Sequence, residues 1–345
     1  MQLGRTKRAN LIRRSLLNAI KAGNANIIQD ATESFGLSRQ AIHKHLSELV
    51  KMGFLESHGN TRSRTYTIGP VRSHSCALSL DGLMESEVYS REFSYLFTGL
   101  PKPIDDICHY GFTEMLNNAI DHSQGETTTI NIDRDRESIQ MMISDDGEGI
   151  FNYIARKMNL HDPRESLLEL SKGKLTTDPE NHSGQGIFFT SRAFDCFYIY
   201  SGDLVFTHND ELTNDYLFHN ELAHKGTHVF MKIALDSNKN LKLVFDDFTG
   251  TEDENFAFNT TVVPVRLALY EGERLVSRSQ AKRILNRVER FKHVVLDFQD
   301  VDFIGQAFTD EIFRVFTNRN PQINIRSINT TSDVSKRIAS AKSNS

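Results

Sequence analysis

The sequence predicts a multi-domain α+β protein. Its first 70 residues combine helical spacing of apolar residues with a hairpin-like stretch. The centre of the chain contains a long amphipathic helix, two β-like runs and two glycine-bearing turns. From residue 259 onward, strand-like and helix-like segments alternate, which indicates a small α/β layer domain. A chain of 345 residues has room for two or three such domains.

Composition excludes several classes of protein. With 39% hydrophobic and 25% charged residues, the chain is neither disordered nor fibrous. No apolar run approaches the roughly 20 residues that cross a bilayer, and the start lacks the apolar region of a signal peptide. Its cysteines, Cys76, Cys108 and Cys196, lack metal-ligand spacing. We therefore expect reduced thiols, a cytoplasmic location and no membrane contact.

Charge is distributed unevenly along the chain. Residues 1–72 contain 12 Lys or Arg and 4 Asp or Glu, a net charge of +8. Because the whole chain carries −5, the remainder carries −13. A positive module on an acidic body indicates a polyanionic partner for the first part alone.

The positive module has the pattern of three helices and a hairpin. Arg5–Ala22 and Asn26–Phe35 show helical periods. A third helix is expected to begin after Ser38, a typical N-cap, and to stop at Gly53. Residues 54–68 predict two short strands around a His-Gly-Asn turn.

In this order the elements resemble a winged helix-turn-helix domain. The resemblance implies that the third helix enters the major groove of double-stranded DNA and that the wing contacts phosphates. The residues expected to face DNA are Ser38, Arg39, Gln40, His43 and Lys44 on the helix, with Arg62 and Arg64 on the wing. The alternative is a protein-docking or dimerisation module with a solvated charged face. We favour DNA because the positive charge coincides with the predicted groove-facing surface.

The central helix carries the most distinctive side chains. In Phe112–Ser123, Glu114 and Asn118 lie one helical turn apart, with Asn117 and His122 near the same edge. Two glycine-bearing stretches follow, the first after a β-like run and the second opening a helix-like run. They read Asp145-Asp146-Gly147-Glu148-Gly149-Ile150 and Ser183-Gly184-Gln185-Gly186-Ile187.

These residue types suit nucleotide chemistry. The carbonyl of Asn118 can bind a divalent ion that bridges phosphates. Asp145 can accept the exocyclic amino proton of adenine but is unfavourable beside guanine O6. Gly184 and Gly186 expose amides at a helix N-terminus, which favours phosphate. Glu114 is placed to take a proton from an attacking water or hydroxyl. The sequence has no G-x-x-x-x-G-K-[ST] run, which excludes a P-loop.

Together these segments resemble the GHKL ATP-binding fold of histidine kinases, gyrase, Hsp90, MutL and anti-sigma-factor kinases. Residues 114–119 are similar to the N box, 145–149 to the G1 box and 184–186 to the G2 box. Lys225-Gly226-Thr227 resembles the closing Gly-Thr of the fold, and the resemblance covers roughly residues 85–235.

The resemblance implies an α/β sandwich (the Bergerat fold) that binds ATP and Mg²⁺. It implies Asn118 as the metal ligand, Glu114 as the catalytic residue and residues 151–182 as a lid over the nucleotide. The expected nucleotide contacts are Asn117, Asn118, His122, Asp145, Gly147, Gly149, Ile150, Lys174, Thr176, Thr177, Gly184, Gln185, Gly186, Ile187 and Thr227.

The C-terminal part resembles STAS-like domains fused to GHKL modules. Val294–Phe298 is an apolar run typical of a buried parallel strand, between predicted strands at Thr260–Leu269 and Ile323–Ile328. Anti-sigma-factor antagonists of this shape carry a phosphate-accepting serine at a strand-to-helix turn. This chain has Gly305-Gln306-Ala307 there, and its nearest hydroxyl is Thr309. We therefore expect protein docking or dimerisation rather than phosphate acceptance.

The expected domains follow from these resemblances. They are a winged helix-turn-helix at 1–70, a connector at 71–103 whose helix at 85–100 could join the next domain, the GHKL domain at 104–235, a linker at 236–258 and the STAS-like domain at 259–345.

Three functions fit this organisation. The first is a homodimeric DNA-binding transcription regulator switched by ATP, with or without hydrolysis. The second is an anti-sigma-type serine/threonine kinase acting on a STAS-type partner. The third is a histidine kinase, but residues 71–103 are too short for its helical hairpin and contain only His74. The winged helix-turn-helix expected in the same chain favours the first function.

Overall fold

The computed structural model describes residues 5–24, 26–60, 64–174, 184–210, 216–249, 258–269 and 273–343. The fold is mixed α/β, with separate sheets of two, three and five strands in the described ranges. The chain divides into two compact units, residues 1–74 with 132–139 and residues 75–131 with 140–345. Across the ranges described, no helix is both long and apolar enough to cross a membrane.

In the first unit, three helices precede a two-stranded antiparallel sheet. Ser38 caps the third helix, because its Oγ accepts a hydrogen bond from the backbone nitrogen of Ala41 at 3.2 Å. In the hairpin, Leu55 lies opposite Ile68. This order confirms the predicted elements. Their bounds are α1 Arg5–Lys21, α2 Ile27–Phe35, α3 Arg39–Lys51, β1 Leu55–His58 and β2 Thr65–Ile68.

A small apolar core holds this unit together. Ile42, Leu46 and Leu49 recur at helical spacing on α3 and are buried. The opposite face of α3 is therefore left to polar side chains. The core consists of Ile12, Leu16, Ala31, Ile42, Leu46, Leu49 and Leu55.

The largest sheet has the strand order β3-β4-β5-β7-β6. Its strands are β3 Arg72–Ser79, β4 Thr127–Arg134, β5 Ser138–Asp145, β6 Cys196–Asn209 and β7 Tyr216–Ala234. The accompanying helices are α4 Glu85–Val88, α5 Ser94–Phe97, α6 Lys102–His122, α7 Ile150–Met158, α8 Glu165–Lys172, α9 Gly186–Ala193 and α10 Leu241–Asp246. A π-helical turn at Tyr89–Phe93 joins α4 to α5.

Burial periods decide which polar side chains meet at the end of this sheet. In β5, Met141 and Ile143 are buried at a spacing of two residues, and the strand ends at Asp145. In α6, Phe112 and Met115 are buried at helical spacing. The polar residues that follow them on α6 are thereby brought beside the end of β5.

Two segments expected to be irregular contain helices. Residues 151–182, predicted as a lid, include α7 and α8, and apolar residues of α8 such as Leu168 are buried. The segment 236–258, predicted as a linker, includes α10. Phe245 of α10 packs edge-on against Phe189, with ring centroids 4.6 Å apart. The sequence does not reveal α8 because its buried residues include polar ones such as Ser166, Glu169 and Lys172. Helix α10 has no fully buried residue and therefore shows no buried stripe.

The C-terminal layer, residues 258–343, is built on a three-stranded sheet of order β10-β9-β8. The middle strand β9 runs parallel to both neighbours, which confirms the predicted buried parallel strand. The elements are β8 Thr260–Pro264, α11 Arg278–Leu285, β9 His293–Asp297, α12 Gln306–Asp310, a π-helical turn Glu311–Phe316, α13 Thr317–Arg319, β10 Asn324–Ile328 and α14 Ser332–Ser343.

Candidate functional site

Residues of α6, β5, α7, α9 and β7 surround a cavity of about 270 Å³. Helix α6 brings Glu114, Asn117, Asn118 and His122 to it, because these positions share one side of the helix. The lining residues are Glu114, Met115, Asn117, Asn118, Ala119, His122, Ser123, Ile143, Asp145, Gly149, Ile150, Tyr153, Ile154, Leu170, Gly184, Gly186, Ile187, Phe188, Thr227 and Val229. The wall combines apolar side chains with convergent polar groups, as small-molecule sites do.

Asp145 is the buried carboxylate of this cavity. It is 8% exposed, and its Oδ1 accepts hydrogen bonds from the backbone nitrogens of Gly147 at 3.0 Å and Thr227 at 3.2 Å. Burial raises the pKa of the Asp145 carboxyl above its usual value, and the two hydrogen bonds oppose that rise. The net direction is upward because removal from water disfavours the charged form more than the two amides favour it.

The adjacent Asp146 has a different, structural role. Its Oδ1 accepts hydrogen bonds from the backbone nitrogens of Glu126 at 2.8 Å and Thr127 at 2.9 Å. These bonds lower the pKa of its carboxyl. Asp146 therefore fixes the start of β4 against the end of β5, while Asp145 faces the cavity.

Gly226 lets β7 approach Asp145. Its φ is +74°, a left-handed conformation that side chains disfavour, and an added Cβ would lie 2.0 Å from the carbonyl oxygen of Asp145. The next residue, Thr227, uses both of its polar groups here. Its nitrogen binds Asp145, and its Oγ1 accepts from the backbone nitrogen of Ile150 at 3.0 Å. Thr227 thus links β7 to the start of α7.

Glu114 lies against the N-terminus of α9. An added Cβ at Gly186 would lie 2.0 Å from Glu114 Oε2, so a larger residue there would displace the Glu114 carboxylate. One turn earlier on α6, Tyr110 is partly buried, and this burial, followed by the nearby Glu114 charge, raises the pKa of its phenol. Asn118 donates from Nδ2 to Met115 Sδ at 3.9 Å, which leaves the carbonyl as the acceptor end of its amide.

The structure gathers the expected catalytic residue, Glu114, and most of the expected nucleotide contacts around the cavity. Those that line it are Glu114, Asn117, Asn118, His122, Asp145, Gly149, Ile150, Gly184, Gly186, Ile187 and Thr227. Gly147 does not line the cavity, but its backbone nitrogen donates a hydrogen bond to Asp145, which does. Gln185 does not line the cavity and is the N-cap of α9. Thr176 and Thr177 lie outside the described residues.

Lys174, expected beside phosphate, is directed elsewhere. Its Nζ donates to the carbonyl of Arg290 at 2.9 Å and lies 4.7 Å from the ring centroid of Phe291. Burial and the Arg290 charge lower the pKa of this ammonium group. Lys174 does not line the cavity, because its ammonium group contacts Arg290 and Phe291 of the C-terminal layer instead.

Sequence reasoning missed the apolar wall of the site. Tyr153 and Ile154 of α7 line the cavity, and the Tyr153 ring centroid lies 6.0 Å from that of His122. Leu170 and Phe188 contribute from α8 and α9. The signal that could have found Tyr153 is helical spacing. In a helix that begins after Gly149, residue 153 lies one turn after Ile150 and on the same side.

The residues expected to face DNA belong to the first unit. Ser38 serves as the cap of α3, while Arg39, Gln40, His43 and Lys44 are exposed along it. Arg64, just before β2, is exposed as well. Arg62 lies outside the described residues. Exposure of these side chains does not test DNA binding, which stays a prediction.

Comparison with known families identifies two parts of the chain. Residues 280–335 match the family described as a STAS-like domain of unknown function (DUF4325). Residues 96–204 match the family described as the histidine kinase-like ATPase domain, a range that includes α6, β5 and α9. No curated protein matches the chain. The two family matches confirm the resemblances to a GHKL-type ATPase domain and to a STAS-like domain.

Proposed function

We propose that this protein binds an adenine nucleotide with Mg²⁺ in the cavity and acts as a nucleotide-switched, DNA-binding regulator. The observation that carries the nucleotide proposal is Asp145, a buried carboxylate whose Oδ1 is held by two backbone amides at the cavity wall. We assign its Oδ2 to the exocyclic amino group of adenine. A carboxylate only accepts hydrogen bonds, so it selects adenine over guanine at that position.

Other residues of the cavity wall fit a metal-bound phosphate group. Asn118 lines the cavity and offers an amide oxygen, a ligand type that Mg²⁺ prefers, with Glu114 one turn earlier on α6. When bound, Mg²⁺ would neutralise phosphate charge. Gly184 and Gly186 present backbone amides at the start of α9, where the helix dipole favours anions.

We assign Glu114 as the general base for hydrolysis. Its carboxylate lies beside the N-terminus of α9, the end assigned to phosphate. From there it can accept a proton from a water molecule that attacks the terminal phosphorus. Incubation with γ-labelled ATP under single-turnover conditions tests this assignment. Label released as free phosphate supports hydrolysis, and label retained on the chain contradicts it.

The first unit supports the DNA-binding half of the proposal. The net charge of +8 in residues 1–72 accompanies exposed basic residues on α3, including Arg39 and Lys44. Neutralising phosphates with such side chains makes affinity for a duplex fall steeply with salt. Duplex retention by the full chain at rising salt tests this half. We further propose that the chain acts as a homodimer, which light scattering can measure.

A kinase acting on its own STAS-like domain is less consistent with the structure. Thr309, the nearest hydroxyl to the Gly305 turn, is 1% exposed, and its Oγ1 donates to the carbonyl of Gly305 at 2.8 Å. That hydroxyl is neither accessible nor directed outward. Residues 71–103 form β3 and short helices rather than the helical hairpin of a histidine kinase. We therefore favour the switch over phosphate transfer to this chain's own STAS-like domain and over a histidine kinase.

A further inference from the structure

Helix α8 belongs both to the cavity wall and to a buried contact with the C-terminal layer. Leu170 lines the cavity. Its neighbours Glu169 and Lys172 are 2% and 1% exposed, although both carry charge. Charged side chains are almost never buried this completely unless they are paired. Their hydrogen-bond partners therefore identify the part of the protein against which α8 is held.

The partners lie at the end of α11 and just after it. Lys172 Nζ donates to Glu169 Oε1 at 2.8 Å and to the carbonyls of Arg283 and Asn286 at 3.0 and 2.8 Å. All three protons of the ammonium group thus have acceptors. Glu169 also accepts from Asn286 Nδ2 and from Arg287 Nη1, each at 3.0 Å.

The C-terminal layer also donates hydrogen bonds to backbone carbonyls at and just beyond the end of α8. The last carbonyls of a helix have no partner within it. Here Thr261 Oγ1 donates to the carbonyl of Lys172 at 2.7 Å. Just beyond the helix, Arg287 Nη2 and Arg290 Nη1 both donate to the carbonyl of Lys174. Arg287 therefore bridges a side chain within α8 and a carbonyl just after it.

This network fixes a position rather than adding stability. A buried ion-pair cluster is often no more stable than apolar residues of similar volume, yet loss of one partner leaves an uncompensated charge. Arg287 holds its place with a φ of +61°, a conformation that non-glycine residues rarely adopt. Fixed geometry of this kind gives α8 a single register on the C-terminal layer.

A second helix connects the same two regions. Phe188 of α9 lines the cavity, and its ring centroid lies 4.9 Å from that of Phe258 in the C-terminal layer. Two walls of the cavity, α8 and α9, are thus packed directly on this layer. A shift of the layer would move Leu170 and Phe188 together.

We propose that the C-terminal layer regulates the nucleotide site by setting the position of α8, with Arg287 as the positioning residue. The inference rests on the proposed function of the cavity and adds a regulator to it. Whatever moves Arg287, such as a protein docking on the layer, changes nucleotide affinity. By linkage, nucleotide changes the affinity of the layer for that protein by the same factor.

Calorimetric titration of MgATP into the full chain and two variants tests the proposal. Arg287→Lys keeps the positive charge but lacks the planar fork that reaches two acceptors. We expect it to change the dissociation constant by about fivefold or more, the lower end of typical couplings. The control is Arg314→Lys, whose ion pair with Asp310, at 3.4 Å, lies wholly within the C-terminal layer. We expect the control to bind as the parent does.

Thermal unfolding without nucleotide separates positioning from stability. A merely structural Arg287 would lower the midpoint of Arg287→Lys while the folded variant bound MgATP as the parent does. That pair of results would overturn the proposal. If Arg287→Lys does not fold, hydrogen exchange of the parent decides instead. Bound nucleotide should slow exchange of backbone amides in residues 278–297, and unchanged exchange there would also overturn it.

Failure of the proposed function gives a different result. A folded parent chain that binds neither MgATP nor MgADP would refute the nucleotide site itself, and the regulation with it. A parent that binds nucleotide, with Arg287→Lys and the Arg314→Lys control both unchanged, would refute the regulation alone.

Discussion

The Oδ1 atom of Asp145 lies 3.2 Å from the backbone nitrogen of Thr227, 82 residues further along the chain. The contact follows from the sheet order, which places β5 beside β7. It joins the end of β5 to β7 beside Gly226 and closes one side of the cavity. Because the backbone nitrogens of Gly147 and Thr227 both donate hydrogen bonds to Oδ1, the carboxylate is held in one orientation.

The first prediction concerns the choice of base. Asp145→Asn keeps an acceptor at Oδ1 for the two amides but replaces the oxygen assigned to adenine with an amino group. A hydrogen bond to a charged group contributes about 1.5–3 kcal/mol, so affinity for ATP should fall by roughly tenfold or more. GTP should bind weakly in both proteins. Parent-like binding of ATP by Asp145→Asn, measured by calorimetry, would show that the assignment is wrong.

The second prediction uses the raised pKa of Asp145. Nucleotide needs the ionised carboxylate, so ATP affinity of the parent relative to Asp145→Asn should fall on acidification, beginning above the usual Asp value of about 3.9. The folded carboxyl binds its proton more tightly than the unfolded one. Its contribution to the free energy of unfolding is therefore present at low pH and lost as pH rises through the folded pKa.

Unfolding in urea measures the second half of that prediction. Between about pH 4 and pH 7, the parent should lose stability relative to Asp145→Asn as pH rises. At neutral pH the variant should be at least as stable as the parent while binding ATP less well. A parent that gains relative stability over this range would contradict the burial argument.

The third prediction separates binding from hydrolysis at Glu114. Glu114→Gln keeps the shape of the side chain but removes the base, so MgATP binding should persist while phosphate release stops. Gly186→Ala should weaken MgATP binding, because its Cβ would meet Glu114 Oε2. In a Glu114→Ala background the same glycine substitution should cost much less, since that oxygen is gone. Equal costs in the two backgrounds would show that the close approach is unimportant for binding.

How much of this site the sequence predicts depends on the range of the contact. Glu114 and Asn118 share a face because helical spacing is local, and the helix was predicted from its apolar stripe. The family resemblance places Lys174 beside phosphate, but the structure pairs it with the carbonyl of Arg290, 116 residues away and beyond any local pattern. A long-range partner of this kind becomes visible only once the chain is folded.

The same reasoning explains the missed helices. Burial of α8 depends on the distant C-terminal layer, and its buried residues include charged ones that a hydrophobic pattern does not reveal. Helix α10 is partly buried, through contacts such as that of Phe245 with Phe189. The middle strand of that layer is predictable because β9 contains the apolar run Val294-Val295-Leu296, as expected of a central parallel strand. Tyr153 escaped prediction because an aromatic residue on a helix is ordinarily assigned to the core.

The fourth prediction concerns DNA. In the full chain, Lys44→Ala and Arg64→Ala should each weaken duplex binding and reduce the slope of log affinity against log salt by about one unit per lost phosphate contact. Lys282→Ala, an exposed lysine on α11, is the matched control and should change neither quantity. Salt slopes that stay at the parent value in both variants would favour a protein-docking function for residues 1–70.

The last prediction joins the two halves of the proposed function. Nucleotide can shift DNA affinity only through a difference in its own affinity for two arrangements of the protein, and DNA must then shift nucleotide affinity by the same factor. Typical couplings are about 1–3 kcal/mol, or roughly five- to 150-fold. DNA affinity should therefore differ among protein with no nucleotide, with ADP and with a non-hydrolysable ATP analogue. Glu114→Ala should hold the ATP state when given ATP itself, whereas Gly184→Ala should uncouple the sites. Three indistinguishable binding curves would contradict the switch and favour a kinase that acts on a separate partner.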